Sequence, residues 1–312
     1  MEGTFSAIDI GSNSIRLLVA QFTNGLFLPL YKSSVHTRLS QGVSQSKTLL
    51  PAAMERTIKA MLALRQAAVA HGSQKTVCFA TSAVREAQNR QEFLDLAAQN
   101  GFLVEIISGE LEAQIGFLGA TEGIGEPCVG TIDIGGGSTE IIAGVEGLPY
   151  FSQSYQVGTV RCYDRFAYGD PPDRVALSRM GAWIRKQFST TRAQINSVAG
   201  MPHKWLGLGG TVSTFAAIDL QMTHCNQQQI HGHTLTATAV NSMRRKLSAM
   251  NMERRKNVPG VPVFNADIIL ASGAILSCIM RELMIDELTV SGHDNLEGYL
   301  LKTMKETPQV FV

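Results

Sequence analysis

Apolar residues recur along this chain in two rhythms, short dense runs that read as strands and longer stretches with three- and four-residue spacing that read as helices. Residues 4–10 and 14–22 predict two strands joined by a Gly/Ser turn. Residues 51–71, PAAMERTIKAMLALRQAAVAH, predict a helix with Pro51 at its first position and Gly72 just past its end. TVCFATS predicts a buried strand, and Asn89 with Glu92 predicts a capping box for the helix RQEFLDLAAQ. FLVEIIS predicts another strand, followed by a helix from about Glu110 to Ala120. The second half opens on its own strand, Gly/Ser turn and strand, and continues with a helix around 173–190. WLGLGGTVSTFAAIDL follows as strand, glycine turn and helix. A basic helical segment at 239–256, a buried helix, the strand DELTV and a terminal helix near 294–306 complete the chain. Strands alternating with helices predict α/β layers.

One pattern occurs twice. AIDIGSNSIRLLVAQ, residues 7–21, and TIDIGGGSTEIIAGV, residues 131–145, both run from an apolar strand through Asp, Ile and Gly to small residues and a second apolar strand. Setting Asp9 on Asp133 aligns Ile8, Ile10, Gly11 and Ser14 with Ile132, Ile134, Gly135 and Ser138. The offset, 133 − 9 = 124 residues, exceeds any solenoid period and predicts a duplicated domain. The Gly/Pro-bearing segment EGIGEPCVG, residues 122–130, marks the expected division. An N-terminal domain, 1–124, would carry the first loop. A C-terminal domain, 125–312, would carry the second loop and a glycine-rich third, with the terminal helix packing back on the first domain. Two-fold related halves would present their loops to a central cleft, opening and closing about the 122–130 linker.

Composition narrows the function. The 312 residues suit two domains, and 45% apolar with 17% charged residues describes an ordinary folded chain. A net charge of +1 offers no global polycation, so no DNA partner is expected and an anion must be held by local arrangement. Cys78, Cys128, Cys162, Cys225 and Cys278 stand at least 34 residues apart with no CxxC pair. They read as free thiols in a reducing cytoplasm rather than a disulfide or zinc framework. The most apolar stretch has 13 uncharged residues between Asp267 and Arg281, too short to span a bilayer, and no basic leader precedes the first strand. A soluble cytoplasmic protein without a membrane partner is expected.

The repeated turns suit phosphate. Glycines at Gly11, Gly135, Gly136 and Gly137 allow consecutive amides to converge on an anion, and Ser12, Asn13, Ser14, Ser138 and Thr139 add side-chain donors. Gly207, Gly209, Gly210 and Thr211 lie between a strand and a helix, where free amides and the dipole favour an anion, although close strand–helix packing explains the glycines equally well. No Walker A pattern is present. Asp9, Asp133 and Glu140 are carboxylates beside these loops, inside apolar strands, and suit Mg²⁺ held jointly with waters and substrate phosphates. Glu110 and Glu112 follow a strand end; Glu112 shares a helix face with Gly116 and Gly119, leaving space for a substrate, whereas Glu110 reads as a first-turn acid facing the dipole. Arg85 lies where a guanidinium can clamp phosphate, Arg16 follows the first loop and is expected to bind phosphate with it, and Arg161 follows YQVGTV, although each alone is more often a surface ion pair. The RRK clusters at 244–246 and 254–256 read as solvated helix faces, and His231 with His233 lack a third metal partner. No Ser-His-Asp or Cys-His arrangement suggests a covalent intermediate.

The order and spacing of DIGSNSIRL, ATSAVREAQN, ISGELEAQIGFLG, DIGGGSTEI, VGTVRCYDRF, GLGGTVSTFAAI and ADIILASGAIL resemble the exopolyphosphatase / guanosine pentaphosphate phosphatase family over nearly the whole chain. That family belongs to the actin-like, sugar-kinase-like superfamily. The resemblance implies an α/β fold of two duplicated, ribonuclease H-like domains. It implies that Glu112 is the base, that Asp133, Glu140 and Asp9 serve a Mg²⁺ ion, that Ser138 contacts phosphate and that Arg85 contacts substrate. The implied activity is release of terminal phosphate from inorganic polyphosphate or guanosine pentaphosphate. The chain departs from the family pattern at Asn265 and Leu296, where arginine is usual, and at Gly292, where aspartate is usual. Two alternatives stand beside the hydrolase: a phosphate or alarmone sensor without catalysis, and a kinase or ATPase on the same fold. A homodimer is expected on general frequency alone.

Overall fold

The computed structural model describes residues 2–122, 124, 126–223 and 227–306, so Cys225 and the glycines at 123 and 125 lie outside the described residues. The chain forms two compact units. The first comprises the chain up to Gly119 together with the chain from His293 onward; the second runs from Ala120 to Gly292. The chain thus divides after Gly119, and the terminal helix counts with the first unit.

In the first unit β1 (Gly3–Ile10), β2 (Ser14–Thr23), β3 (Leu26–His36), β4 (Lys75–Ala80) and β5 (Val104–Ile106) form one sheet in the order β3-β2-β1-β4-β5. β1, β2 and β3 are an antiparallel meander, and β4 and β5 join parallel to β1. Side chains alternate across a strand, so β1 serves both faces. Ile8 and Ile10 pack with Leu17 and Val19 against Met54, Ile58, Met61 and Leu64 of the helix Pro51–Ala70. Phe5 and Ala7 pack on the other face with Phe79, Ile115 of the helix Gly109–Thr121, and Leu296, Tyr299 and Leu300 of the helix Asn295–Glu306. Asp9 has the parity of Phe5 and Ala7, and therefore faces these two helices.

In the second unit β6 (Cys128–Ile134), β7 (Thr139–Val145), β8 (Leu148–Tyr155), β9 (Lys204–Leu208), β10 (Thr234–Thr236) and β11 (Glu287–Val290) form a sheet ordered β10-β11-β9-β6-β7-β8. Counted from its first strand, each unit has the order third-second-first-fourth-fifth, with β10 added at the edge of the second. This is the duplicated α/β arrangement expected from the sequence. The helix Ile269–Glu282 is buried in the second core, and among the described residues no helix is long and apolar enough to cross a membrane.

The third strand of each meander was not anticipated. Pro29 and Pro149 mask β3 and β8, because proline weakens a strand reading; both strands lie at sheet edges, where a missing amide is tolerated. Each proline also sits beside a register shift, Pro29 opposite Ala20 and Pro149 opposite Gly144. The turns were legible: Asn24-Gly25 (φ 52°, 76°) and Glu146-Gly147 (φ 50°, 79°) are left-handed pairs of the hairpin type, and Asn-Gly is its strongest sequence signal. The expected capping box at Asn89 is absent; its side chain instead accepts from the Leu49 amide at 2.8 Å and donates to the Leu49 carbonyl at 3.0 Å. Burial pushes the Cys78 and Cys162 thiols up to about 12, which keeps both protonated and unreactive.

Gly119 does not leave room for a substrate. A Cβ there would overlap the Asp294 carbonyl, and one on Gly298 would overlap the Ile115 carbonyl. The two helices thus meet backbone to backbone at two glycines. Gly298→Ala is therefore expected to cost at least about 2 kcal/mol of unfolding free energy in urea titration, through overpacking against backbone. Gly181→Ala, in the open interior of the helix Arg174–Phe188, should add up to about 1 kcal/mol. Equal effects of the two substitutions would contradict the packing described.

Candidate active site

Each unit carries one of the repeated loops, closed in the same way. In the first, the Gly11 amide donates to the Ser14 carbonyl at 3.1 Å. The Asn13 carbonyl accepts from the Thr37 and Arg38 amides at 3.1 and 2.9 Å, and the Ser12 carbonyl from the Ser40 amide at 3.0 Å. Loop carbonyls are thereby engaged by the segment 37–40. The buried Ser12 hydroxyl lies 2.9 Å from that of Ser82, which opens the short helix Ser82–Glu86 after β4.

That short helix carries Arg85, and its Nη1 donates to Glu112 Oε2 at 3.0 Å and to the Ile107 carbonyl at 2.9 Å. Arg85 Nη2 is buried and has no hydrogen-bond partner among the described residues. Ser108 holds the start of the helix Gly109–Thr121, its hydroxyl accepting from Leu111 and its carbonyl from Glu112. Glu112 is only 6% exposed, whereas Glu110, two residues earlier, faces solvent. The helix therefore sorts the two glutamates as the periodicity argument expected.

Behind the loop lies a cluster of buried charges. Asp9 and Arg16 face each other across β1 and β2, and Arg16 Nε and Nη2 donate to Asp9 Oδ2 at 3.0 and 2.5 Å. Arg16 Nη1 donates to Asp294 Oδ2 at 2.5 Å. Lys32 Nζ of β3 lies 2.6 Å from Glu297 Oε1. Burial raises the Asp9 carboxyl above its ordinary range; Arg16 opposes this and the Asp294 charge reinforces it. Burial also pushes Asp294 up, but Arg16, Lys32 and the Leu296 amide outweigh it and hold that carboxyl below its ordinary range. Burial raises Glu297, with Lys32 opposing and Asp294 reinforcing. Arg16, expected to bind phosphate, is thus held between two carboxylates. Asp294 escaped the sequence reading, although Asp294 and Glu297 have the spacing of a capping box.

In the second unit the Gly135 amide donates to the Ser138 carbonyl at 3.0 Å, matching Gly11 and Ser14. The Gly135 carbonyl accepts from Thr159, the Gly136 carbonyl from Val160 and Arg161, and the Gly137 carbonyl from Arg161 Nε at 2.6 Å. Gly158 permits this approach, since a Cβ there would overlap the Gly136 carbonyl. Arg161 therefore anchors the loop. The amides of Gly136, Gly137 and Ser138 donate to no group among the described residues. Thr139 donates its hydroxyl to the Val157 carbonyl at 2.6 Å, and Thr211 donates its hydroxyl to the Ile134 carbonyl at 2.9 Å. A hydroxyl has one hydrogen, so these side chains support backbone and are not donors to an anion, contrary to the expectation for the Thr139 side chain.

Asp133 and Glu140 are directly opposite on β6 and β7, on one face, at 8% and 4% exposure. Ser154 donates to Glu140 Oε1 at 2.6 Å. Gly209, at φ 74°, lies against Asp133 Oδ1 so closely that a Cβ would overlap it, while Gly210 faces open space. Like charges opposed on a sheet are unfavourable without a compensating cation or donors, so this pair fits a hard cation that takes few carboxylates. Among the described residues no group of three or more His, Cys, Asp or Glu side chains forms a metal centre. Asp9 keeps a buried, unbonded Oδ1. His233 lies 2.9 Å from Asp219, and His231 Nδ1 accepts from the Gly292 amide at 3.0 Å, so both are structural. Leu296, where the family pattern has arginine, is 2% exposed in an apolar cluster.

His36 ends β3 with its Nδ1 3.5 Å from Asn13 Nδ2, and burial, with Arg38 adding, pushes its imidazole down to about 4. The unfolded chain binds a proton near pH 6.5 that the folded chain refuses, so folding stability falls as pH drops from 6.5 towards about 4. His36→Gln should flatten that part of a urea-midpoint profile against pH; an unchanged slope would exclude the buried neutral imidazole.

The sequence model of the Ppx/GppA phosphatase family matches residues 18–307. The chain is similar to exopolyphosphatase 2 of Mycobacterium tuberculosis, 31% identical over 95% of this chain and 97% of that one. Its fold is similar to an exopolyphosphatase from Cytophaga hutchinsonii, with a TM-score of 0.87 and 25% identity covering 96% of this chain and 97% of the other. It is also similar to the Ppx/GppA family member of Aquifex aeolicus, with a TM-score of 0.81 and 27% identity covering 98% and 99% of the two chains. The match across almost the whole sequence makes this chain a member of the Ppx/GppA phosphatase family.

Proposed function

We propose that the chain is a phosphoanhydride hydrolase that releases the terminal phosphate of inorganic polyphosphate or guanosine pentaphosphate. The observation that carries this reading is the Glu112–Arg85 pair. A buried carboxylate is held by an arginine whose other terminal nitrogen is buried without a partner. A phosphate oxygen supplies the acceptor that Nη2 lacks, and a buried unmade donor is costly. Glu112 then takes the proton of a water whose oxygen attacks the terminal phosphorus in line; the bridging P–O bond breaks and the shortened chain leaves. In the second unit, the amides of Gly136, Gly137 and Ser138, without an acceptor among the described residues, form a backbone nest suited to phosphate oxygens. Ser12, Ser14 and the Gly209–Gly210 turn are assigned the same task.

Asp133 and Glu140 would hold Mg²⁺, and Asp9 through Oδ1 would serve a cation at the first loop. A bound cation neutralises charge on the transferring oxygens. The name of the M. tuberculosis relative supports polyphosphate as substrate. The protonated, buried thiols fit a reducing cytoplasm.

Phosphate release should be measured from polyphosphate and from guanosine pentaphosphate with Mg²⁺, for the intact protein and Glu112→Gln. The substitution is expected to lower kcat by about 10²- to 10⁴-fold with KM little changed. A protein that binds either substrate but releases nothing is a sensor, and transfer of phosphate to a second substrate in place of water identifies a kinase. Chelation should abolish release, with Mg²⁺ restoring it. Asp133→Asn should raise the Mg²⁺ needed for half-maximal rate by about tenfold or more, and an unaltered requirement would remove Asp133 from the cation site.

A further inference from the structure

The mechanism above uses neither Asp294 nor the helix it begins, yet Asp294 is only 3% exposed and is tied to three parts of the first unit. Its Oδ1 accepts from the Leu296 amide at 3.0 Å, capping the helix Asn295–Glu306, and its own amide donates to Glu297 Oε2 at 2.9 Å. Its Oδ2 takes Arg16 Nη1, and Arg16 in turn grips Asp9 Oδ2 at the end of β1. Its carbonyl accepts from Gly298 at 3.1 Å and lies against Gly119, on the same helix as Glu112. One residue therefore makes three separate attachments: a helix cap, an ion pair to the arginine that opens β2 after the first loop, and a backbone contact to the base-bearing helix.

We propose that Asp294 is a positioning residue that sets the Asp9–Arg16 pair, and with it the first phosphate loop, relative to the helix carrying Glu112. This rests on the hydrolase reading for its effect on rate, but not for its effect on structure. An arginine with only Asp9 to bind would have one carboxylate for a fork of donors; the second carboxylate fixes the guanidinium plane. Because the same aspartate is tied to the Gly119–Gly298 contact, the guanidinium and the base-bearing helix are referenced to one point. Positioning errors of about an ångström are enough to slow an in-line transfer.

The test is Asp294→Asn. Asparagine caps a helix as well as aspartate, so the terminal helix is retained. However, the Leu296 amide and Arg16 are held by different carboxylate oxygens, and asparagine puts an NH2 donor in place of one of them, so one attachment is lost. Expected are a fall in kcat of about tenfold or more with KM within about threefold. The loss should be absent when Arg16→Gln is already present, because the two act as a unit. Amide hydrogen exchange in residues 10–16 should quicken by about tenfold or more, with the helix Pro51–Ala70 unchanged. If Asp294→Asn does not fold, Arg16→Lys breaks the same bridge from its other end and should show the same exchange pattern. Full activity in Asp294→Asn, losses that multiply with Arg16→Gln, or unaltered exchange at 10–16 would each overturn the proposal. An intact protein inactive on both substrates would sink the hydrolase reading instead, and the exchange experiment would still decide the role of Asp294.

Discussion

The Asp9–Arg16–Asp294 bridge, with both of its carboxylates buried, is the constraint on which the first unit's loop depends. Charges withdrawn from water are stabilised only when the geometry is close and their remaining hydrogen-bonding capacity is used. Here one guanidinium spans two carboxylates, one at a strand end and one at a helix cap, so β1, β2 and the terminal helix must keep a common register. Removing one member of such a buried set leaves an uncompensated charge, typically worth about 3–5 kcal/mol. Lys32 and Glu297 extend the cluster to β3, giving three carboxylates against two cations. The surplus negative charge, with Asp9 Oδ1 unbonded, makes this the part of the unit where a cation or proton is most favourable.

The two units solve one geometric problem with different chemistry. Both join antiparallel strands by a turn closed from a glycine amide to a serine carbonyl, and both bind the loop carbonyls from behind. In the first unit a backbone segment, 37–40, does this. In the second the helix that starts at Thr159 does so, with Arg161 reaching the last loop carbonyl. When carbonyls are engaged on one side, the amides that remain form a surface of donors, which is what an anion requires. The strand-end acids diverge likewise: Asp9 faces an arginine across the ladder, whereas Asp133 faces Glu140.

Much of this was legible in the sequence because it depends on local rules. The duplication, the loops, the parity that buries Asp9, and the burial of Glu112 beside an exposed Glu110 follow from strand and helix periods. The edge strands β3 and β8 were missed because proline argues against strands in general but not at edges, even though Asn24-Gly25 marked the first turn. Asn89 was misassigned because a good cap residue was claimed by Leu49, forty residues earlier, a competition invisible to local pattern. The Thr139 hydroxyl looked like a donor to a ligand, but it is spent on a backbone carbonyl 18 residues away.

The sequence by itself determined the α/β class, the two loops and the residue types available for phosphate chemistry. These are set by hydrophobic period and by the conformations glycine permits, which act over a few residues. Tertiary structure alone decided which charges meet. Arg16 and Asp294 are 278 residues apart, and no local rule pairs them. Their contact exists because Gly119 and Gly298 let two helices approach until backbone touches backbone, and a half-buried arginine then takes whichever carboxylate that approach delivers.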